Sequence, residues 1–389
     1  MRYIFFIISP FLTFLHSCFD LRSRNSRIIF VLFFCLFGFC HTFEDIRADS
    51  YRKYEAFTYY QPKSIEEIFI DYRLGDTKDI FEDILFSIVK SVSNDPHILM
   101  MIVGLFGGFF YMLVIKRFLQ DKRINLDWAI GILILFMVIE SNIPLMGGIR
   151  NFCAFPLFMY SLIRLLIDNK RIWIIGLLIT PLIHFAYIIS LIVALIIWFI
   201  KIPNGILHYL AITACISSLF LSTSSYSEAI DAFSGSIEND AITNRVSNYG
   251  EEETETHFNK SLTTQLTRVN NQIGAVFIVI LLIYIRKNRA NLLSSPYVQN
   301  IYNITLFFIV FSFVILPFSV VGQRYVYIAM VLLYFFLLNI YQYNKNTAIK
   351  YYIYSLPIVY IIHIAWTVYN CYCNTGLGIY FLPLPALIL

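Results

Sequence analysis

Apolar residues fall in long blocks along this chain, separated by short polar breaks, and the blocks are of bilayer-crossing length. Twelve segments read this way: 3–19, 28–42, 97–115, 127–144, 152–167, 172–183, 185–200, 205–222, 272–285, 301–318, 325–343 and 351–369. A hydrocarbon core of about 30 Å demands about 20 helical residues. A transmembrane β-barrel would show short alternating strands, which are missing here. The first block has only Arg2 as a basic head. It ends in Cys18-Phe-Asp20 without a small-residue cleavage site and runs into Arg22, Arg24 and Arg27, so it reads as an uncleaved span. The run 172–200 is interrupted by Pro181 and His184 and reads as a tight hairpin of two short helices.

Charge sets the topology. With that hairpin, loops 20–27, 116–126, 168–171, 201–204, 286–300 and 344–350 share one face. They hold Arg22, Arg24, Arg27, Lys116, Arg117, Lys122, Arg123, Lys170, Arg171, Lys201, Arg286, Lys287, Arg289, Lys345 and Lys350, with Arg164 at a helix end. Asp20, Asp121, Asp127 and Asp168 are the acids on that face; all others lie opposite it or in span ends facing the opposite side. By the positive-inside rule the basic face is cytoplasmic and both termini are external. The composition agrees: 58% of residues are hydrophobic and 14% charged, with a mean hydropathy of +0.69. Soluble proteins carry about 25% charged residues. The expected fold is therefore an all-α integral membrane protein of about twelve transmembrane helices, in a single domain spanning 1–389.

The larger external loops are 43–96 and 223–271. In the first, Ile80, Ile84, Leu85 and Ile88 follow a helical period, and 64–69 forms a second such stretch, predicting amphipathic helices at the membrane surface. The second carries Glu251-Glu-Glu-Thr-Glu255 and reads as a polar flap.

Polar residues that interrupt the ends of apolar blocks are the candidate chemistry, because an ionised side chain at mid-bilayer costs about 2.5–3.5 kcal/mol on insertion scales. Arg47, Asp49, Arg150, His184 and Arg324 all map to the external face, and Glu140 lies within the fourth block. Each has a plain structural alternative. Arg47 and Asp49 fit an exposed ion pair worth under about 1 kcal/mol. Arg150 and Arg324 follow Gly147-Gly148 and Gly322 and fit headgroup anchors, while His184 fits a helix cap and Glu140 a buried partner for one of the arginines. His16, His208 and His363 read as packing or hydrogen-bonding residues, and Gly104-Leu-Phe-Gly-Gly108 as a close helix contact. No P-loop, dinucleotide fingerprint or metal-ligand spacing is present, and Cys371-Tyr-Cys373 is assigned no role. Any reaction thus runs on a preactivated, lipid-borne substrate.

Five strings, in order, resemble the EpsG family of polysaccharide polymerases: Phe43-Glu-Asp-Ile-Arg-Ala-Asp-Ser-Tyr-Arg-Lys-Tyr54, Asp79-Ile-Phe-Glu-Asp-Ile-Leu85, Gly148-Ile-Arg-Asn-Phe-Cys-Ala154, Leu182-Ile-His-Phe-Ala186 and Gln323-Arg-Tyr325. The resemblance implies a GT-C-like, Wzy-like polytopic bundle that polymerises oligosaccharide repeat units of a capsule, exopolysaccharide or O-antigen. A glycan would pass from polyprenyl pyrophosphate to the terminal sugar of another lipid-linked unit, outside the bacterial cytoplasmic membrane. Arg150 and Arg324 would grip the diphosphate through guanidinium forks, and His184 or Asp49 would accept the acceptor proton. Arg47, Tyr51, Tyr54, Glu140, Gln323 and Tyr325 complete the expected substrate-binding set, without metal or cofactor. Expected partners are the polyprenyl-linked oligosaccharide, membrane lipid, and a chain-length regulator and flippase of the same pathway, with no nucleic acid. A flippase of the same lipid-linked sugars, a polysaccharide-modifying membrane acyltransferase and a structural assembly subunit are the other classes the pattern admits.

Overall fold

The computed structural model of the chain describes residues 2–44, 49–75, 77, 80–119, 126–141, 143–200, 203–220, 262–316 and 319–388. Every regular element among them is helical. Six helices are long and apolar enough to cross a membrane: Pro96–Phe118, Trp128–Leu145, Ile149–Ile167, Gln265–Lys287, Pro296–Ile315 and Gly322–Asn344. Thr347–Val359 and Ile361–Thr375, bent by 51° at their junction, make a seventh if taken as one span. The protein is a multi-pass helical membrane protein.

The helices gather into two compact units. The first comprises Met1–Ile70, Asp79–Tyr187 and Ala365–Leu389; the second comprises Asp71–Lys78 and Ile188–Ile364.

In the first unit, Arg24–Phe39 packs along Pro96–Phe118, which also packs on Ile149–Leu162. The glycines anticipated as a close contact explain both crossings. A Cβ at Gly104 would run into the Phe34 carbonyl, and one at Gly107 into the Phe152 ring. Small residues at such crossings let backbones approach and gain dispersion contacts where no hydrophobic drive exists. Asp95 caps the central helix, accepting from the His97 amide at 2.8 Å, with Pro96 in the first turn.

This unit has two chemically different ends. At one, Arg22 Nε donates to the Leu119 carbonyl (2.8 Å), and Asp168 accepts from Arg117 and Arg164, the latter at 2.7 Å. Segments 20–27, 116–119 and 168–171 therefore meet at a basic end, as their charges predict. At the other, the Thr42 amide and hydroxyl donate to the Asn374 carbonyl at 2.6 and 3.1 Å. Asn374 Nδ2 in turn donates to the Pro144 carbonyl at 2.6 Å, close to Gly147 and Arg150. About 21 Å of helix separates position 150 from position 164.

The first block is not a straight span. Arg2–Ile8 and Pro10–Cys18 are separate helices that fold against each other, and Arg2 Nη1 lies 2.6 Å from Asp20 Oδ2. A single helix would hold those positions about 27 Å apart. Pro10 drives its preceding residue out of the helical region, and Ser9 sits at φ −147°, ψ 89°. Arg2 also donates to Ser26 Oγ at 2.5 Å, so this segment enters and returns at the basic end.

Three further readings change in detail. The segment 43–96 contains helices at Asp49–Tyr59, Ile65–Leu74 and Phe81–Lys90; the first was not anticipated. Phe81–Lys90 buries Phe86 and Val89 and leaves Ile88 exposed, because Phe86 is held edge-on by Phe57 and Tyr60, both at 5.3 Å. Residues 262–271, read as flap, form the first turns of Leu262–Lys287, while 223–261 lie outside the described residues. The run 172–200 does break at His184, between helices Ile174–Ile183 and Tyr187–Phe199.

In the second unit, Pro296–Ile315 packs against Asn204–Ser217 and Ser319–Asn344. It too has a basic end, where Arg286 lies over the Tyr209 ring at 5.6 Å and Tyr284 donates to Asn346 at 3.1 Å. His208, anticipated as a packing or hydrogen-bonding residue, is hydrogen-bonded to the Tyr302 hydroxyl at 2.6 Å nearby.

Candidate functional site

Glycine 147 is where the first unit brings its external helices onto a membrane helix. A Cβ there would lie 2.8 Å from the Ser50 amide nitrogen and 3.0 Å from Ser50 Cβ. Only hydrogen lets the start of Asp49–Tyr59 come so close. Gly148 is then the N-cap of Ile149–Leu162, with the Asp49 carboxylate 4.0 Å from its Cβ direction.

That seating delivers three charged side chains to one place. Lys53 Nζ is 2.5 Å from Glu82 Oε1, and Arg150 Nε is 3.4 Å from Glu82 Oε2. The three come from Asp49–Tyr59, Phe81–Lys90 and Ile149–Leu162. Their side chains are only 21%, 16% and 21% exposed. Lys53 and Arg150 both face the one Glu82 carboxylate in this half-buried cluster. Neither Lys53 nor Glu82 was singled out from the sequence, although both lie inside quoted strings. The signal available was chemical: a largely buried arginine needs a carboxylate, but nothing distinguished Glu82 from Asp79 or Asp83.

Helices 49–59 and 81–90 are locked together beside this cluster. Tyr60 donates to the Asp83 carbonyl (3.1 Å), and Lys90 donates to the Thr58 carbonyl (3.1 Å). Burial, first of all, raises the Tyr60 phenol above its ordinary pKa. Ser64 and Glu67 form a reciprocal capping box that starts the intervening helix, with bonds of 2.6 and 3.2 Å.

Asp49 itself is exposed, with Arg52 at 3.7 Å. Arg47 lies outside the described residues. Tyr51 and Tyr54 are half-exposed neighbours 6.1 Å apart, and Tyr54 stacks on Phe43 at 5.1 Å. Phe43 continues to His97 at 5.2 Å, making an aromatic wall beside the polar cluster.

His184 belongs to the same unit but is 3% exposed. Its helix packs on both Ile149–Leu162 and Phe81–Lys90. The His184 ring lies 6.1 Å from Tyr187, whose hydroxyl donates to Asn151 Oδ1 at 3.2 Å, next to Arg150 in the chain. Glu140 is buried at the end of Trp128–Ile139.

Arg324, Gln323 and Tyr325 belong to the second unit, in the first turns of Ser319–Asn344. Gln323 Oε1 accepts from Asn271 Nδ2 at 2.7 Å, and Ser312 Oγ donates to the Tyr325 carbonyl at 2.7 Å. Tyr325 is buried against Phe311. A Cβ at Gly322 would meet the Ile315 carbonyl at 2.5 Å, so the two helices approach closely there. Among the described residues, no group of three or more His, Cys, Asp or Glu side chains is arranged to hold a metal ion.

The family model of EpsG matches residues 27–381, nearly the whole chain. The chain belongs to the EpsG family. Membership implies a polysaccharide-polymerase-like membrane protein. No curated protein and no solved structure matches the chain. All five strings that carry the EpsG resemblance fall within the matched region, and so do Lys53 and Glu82.

Proposed function

We propose that this EpsG protein polymerises lipid-linked oligosaccharide repeat units on the outer side of the bacterial cytoplasmic membrane. The observation that carries the reading is Arg150, half-buried beside Glu82 and Lys53 at the end of the first unit away from Arg117 and Arg164. A polyprenyl pyrophosphate donor presents oxygens at the headgroup level. A guanidinium binds such oxygens bidentately, more strongly than a solvated ammonium does. Stabilising the departing diphosphate lowers the barrier to glycosyl transfer, because charge develops on it in the transition state.

In this reading Asp49, an exposed carboxylate at the mouth of the cluster, accepts the acceptor hydroxyl proton. His184, being buried, orients Tyr187 and Asn151 behind Arg150. Tyr51 and Tyr54 offer ring faces to sugars, and Arg47 adds a further cation. Arg324, with Gln323 and Tyr325, binds substrate within the second unit, and Glu140 balances charge in the first. A chain-length regulator and a flippase of the same pathway are the natural partners.

The positive-inside rule assigns the basic end of each unit to the cytoplasm. The segment 2–18 is then re-entrant, and the other eleven apolar segments cross, with Asn374 outside. This replaces twelve full crossings with eleven and a half-crossing.

The test is a deletion strain analysed for surface glycan by gel, complemented with wild type, Arg150→Ala or Arg324→Ala. Loss of the chain is expected to leave single repeat units that still reach the outside, and neither variant restores polymer. Accumulation of units inside would instead indicate a flippase. Full-length polymer from both variants would overturn the site.

A further inference from the structure

We infer that the outer end of the second unit is a saccharide subsite, in which Asn270, Asn271, Gln323 and Tyr327 hold the hydroxyls and ring face of the repeat-unit glycan. The inference rests on the reading of the chain as a repeat-unit polymerase. It deepens that reading by giving the sugar, as distinct from the diphosphate, residues of its own.

Three helices of the second unit converge there. From Leu262–Lys287, Asn271 Nδ2 donates to Gln323 Oε1 of Ser319–Asn344 at 2.7 Å. One turn further along that second helix, Tyr327 lies 6.2 Å from the His363 ring, near the start of Ile361–Thr375. A Cβ at Gly274 would stand 2.9 Å from the Tyr360 hydroxyl, so the missing side chain makes room for that phenol. Tyr360 joins Thr347–Val359 to Ile361–Thr375, and Pro357 just before it accounts for the 51° bend. Along their helices, Asn271 is about 24 Å from Lys287 and Tyr327 about 26 Å from Asn344. With the basic end in the cytoplasm, the cluster lies in the outer part of a core about 30 Å thick.

Its chemistry selects the ligand. Residues 262–364 contain neither Asp nor Glu, so these helices supply no carboxylate to a metal ion or an acceptor proton. They supply amides, phenols and an imidazole, which both donate and accept. A pyranose presents the matching set: hydroxyls that do the same, around an apolar ring face suited to an aromatic. Amides also pair across membrane helices simply to hold them together, and Asn271 with Gln323 would fit that role. Asn270 does not. It is 7% exposed, and its Oδ1 is buried without a hydrogen-bond partner among the described residues. It stands one turn before Gly274 on the same helix face. A buried acceptor without a donor bears its full desolvation cost until a donor arrives. A sugar hydroxyl is that donor.

The probe is the repeat-unit oligosaccharide prepared by partial hydrolysis of the strain's own surface glycan. It is titrated by calorimetry into the purified full chain, in a detergent without a sugar headgroup, and each variant's thermal unfolding is measured without it. Asn270→Leu is nearly isosteric. It should weaken binding about tenfold, the share of one hydrogen bond, and raise the melting temperature of the empty protein by removing the orphaned acceptor. Gln323→Ala should weaken binding by a similar factor. A lower melting temperature in Asn270→Leu would mark a structural amide and overturn the subsite. So would wild-type binding that neither variant alters, or no binding by wild type. The polymerase reading is judged separately, on the deletion strain: full-length polymer made without the chain removes it. Should Asn270→Leu not fold, Gln323→Ala decides alone, and unchanged affinity rejects the subsite.

Discussion

Arg2 and Asp20 form an ion pair of 2.6 Å across a hairpin whose turn is Ser9–Pro10. The pair sits where Ser23 and Ser26 also face Arg2, and where the next helix begins. Ile4, Phe5, Ile8 and Leu12 are exposed on the hairpin, as lipid-facing residues should be. A cysteine at Tyr3, in a background lacking the native cysteines, is expected to resist a membrane-impermeant thiol reagent in intact cells and react after permeabilisation. A cysteine at Asn374 should react in intact cells. Labelling of position 3 from outside would contradict the hairpin's entry from the basic side.

Gly147 offers the most local test of how the site is assembled. In Gly147→Ala the new methyl would press on Ser50, and relief requires moving the start of Asp49–Tyr59. Overpacking of this kind costs about 1–3 kcal/mol. The expected outcome is a folded protein with polymer synthesis reduced about tenfold or more, since small displacements of catalytic groups weigh heavily. Wild-type polymer length from Gly147→Ala would show that the approach of the two backbones is not needed.

At the basic end of the first unit, one acid serves two arginines. Asp168→Asn leaves Arg117 and Arg164 facing each other without their shared carboxylate. The pairs are mostly shielded, with Asp168 10% exposed. The expected loss is about 2 kcal/mol, between exposed and fully buried ion pairs. Thermal unfolding in detergent reads the loss, while polymer made per folded molecule should stay at the wild-type level. A melting temperature equal to wild type would refute the locking role.

Behind Arg150, the Tyr187 hydroxyl gives its hydrogen to Asn151 in a buried setting. Tyr187→Phe keeps the ring packed on Phe158 and removes that bond. A buried acceptor left unsatisfied costs about 1–3 kcal/mol. Asn151→Ala in the same background should recover part of the stability by removing the orphaned acceptor. Additive losses in that double-mutant cycle would mean that the two groups do not act as a pair.

The membrane class, the break at His184 and the glycine contact at Gly104 were legible because each depends on local chemistry. Block length answers to the bilayer, an apolar run cannot hide a histidine beside a proline, and small residues announce close backbones. The hairpin at 2–18 was not legible, since its apolar residues run on as a span's would. What folds it is Arg2 finding Asp20, a tertiary pairing. Residues 262–271 are polar and so read as loop, yet they continue the helix of an apolar block because that helix extends past it. Of the candidate site, Arg150, Asp49 and His184 reach one unit together, while Arg324 heads a polar patch in the other. Glu82 escaped notice because an acid among Asp79, Glu82 and Asp83 gains meaning only from the helix face that meets Arg150.

The bonds that Asn374 accepts from Thr42 and donates to the Pro144 carbonyl have a temporal implication. The strand of chain that closes the first unit is synthesised after the whole second unit has left the ribosome. Early helices must therefore wait in the bilayer, glycine seams already matched, for a latch that arrives more than two hundred residues after Pro144. A nascent protein halted before that latch would carry every charged group of the first unit's site and still lack the tie beside Gly147, so synthesis of polymer should begin only once translation has passed it.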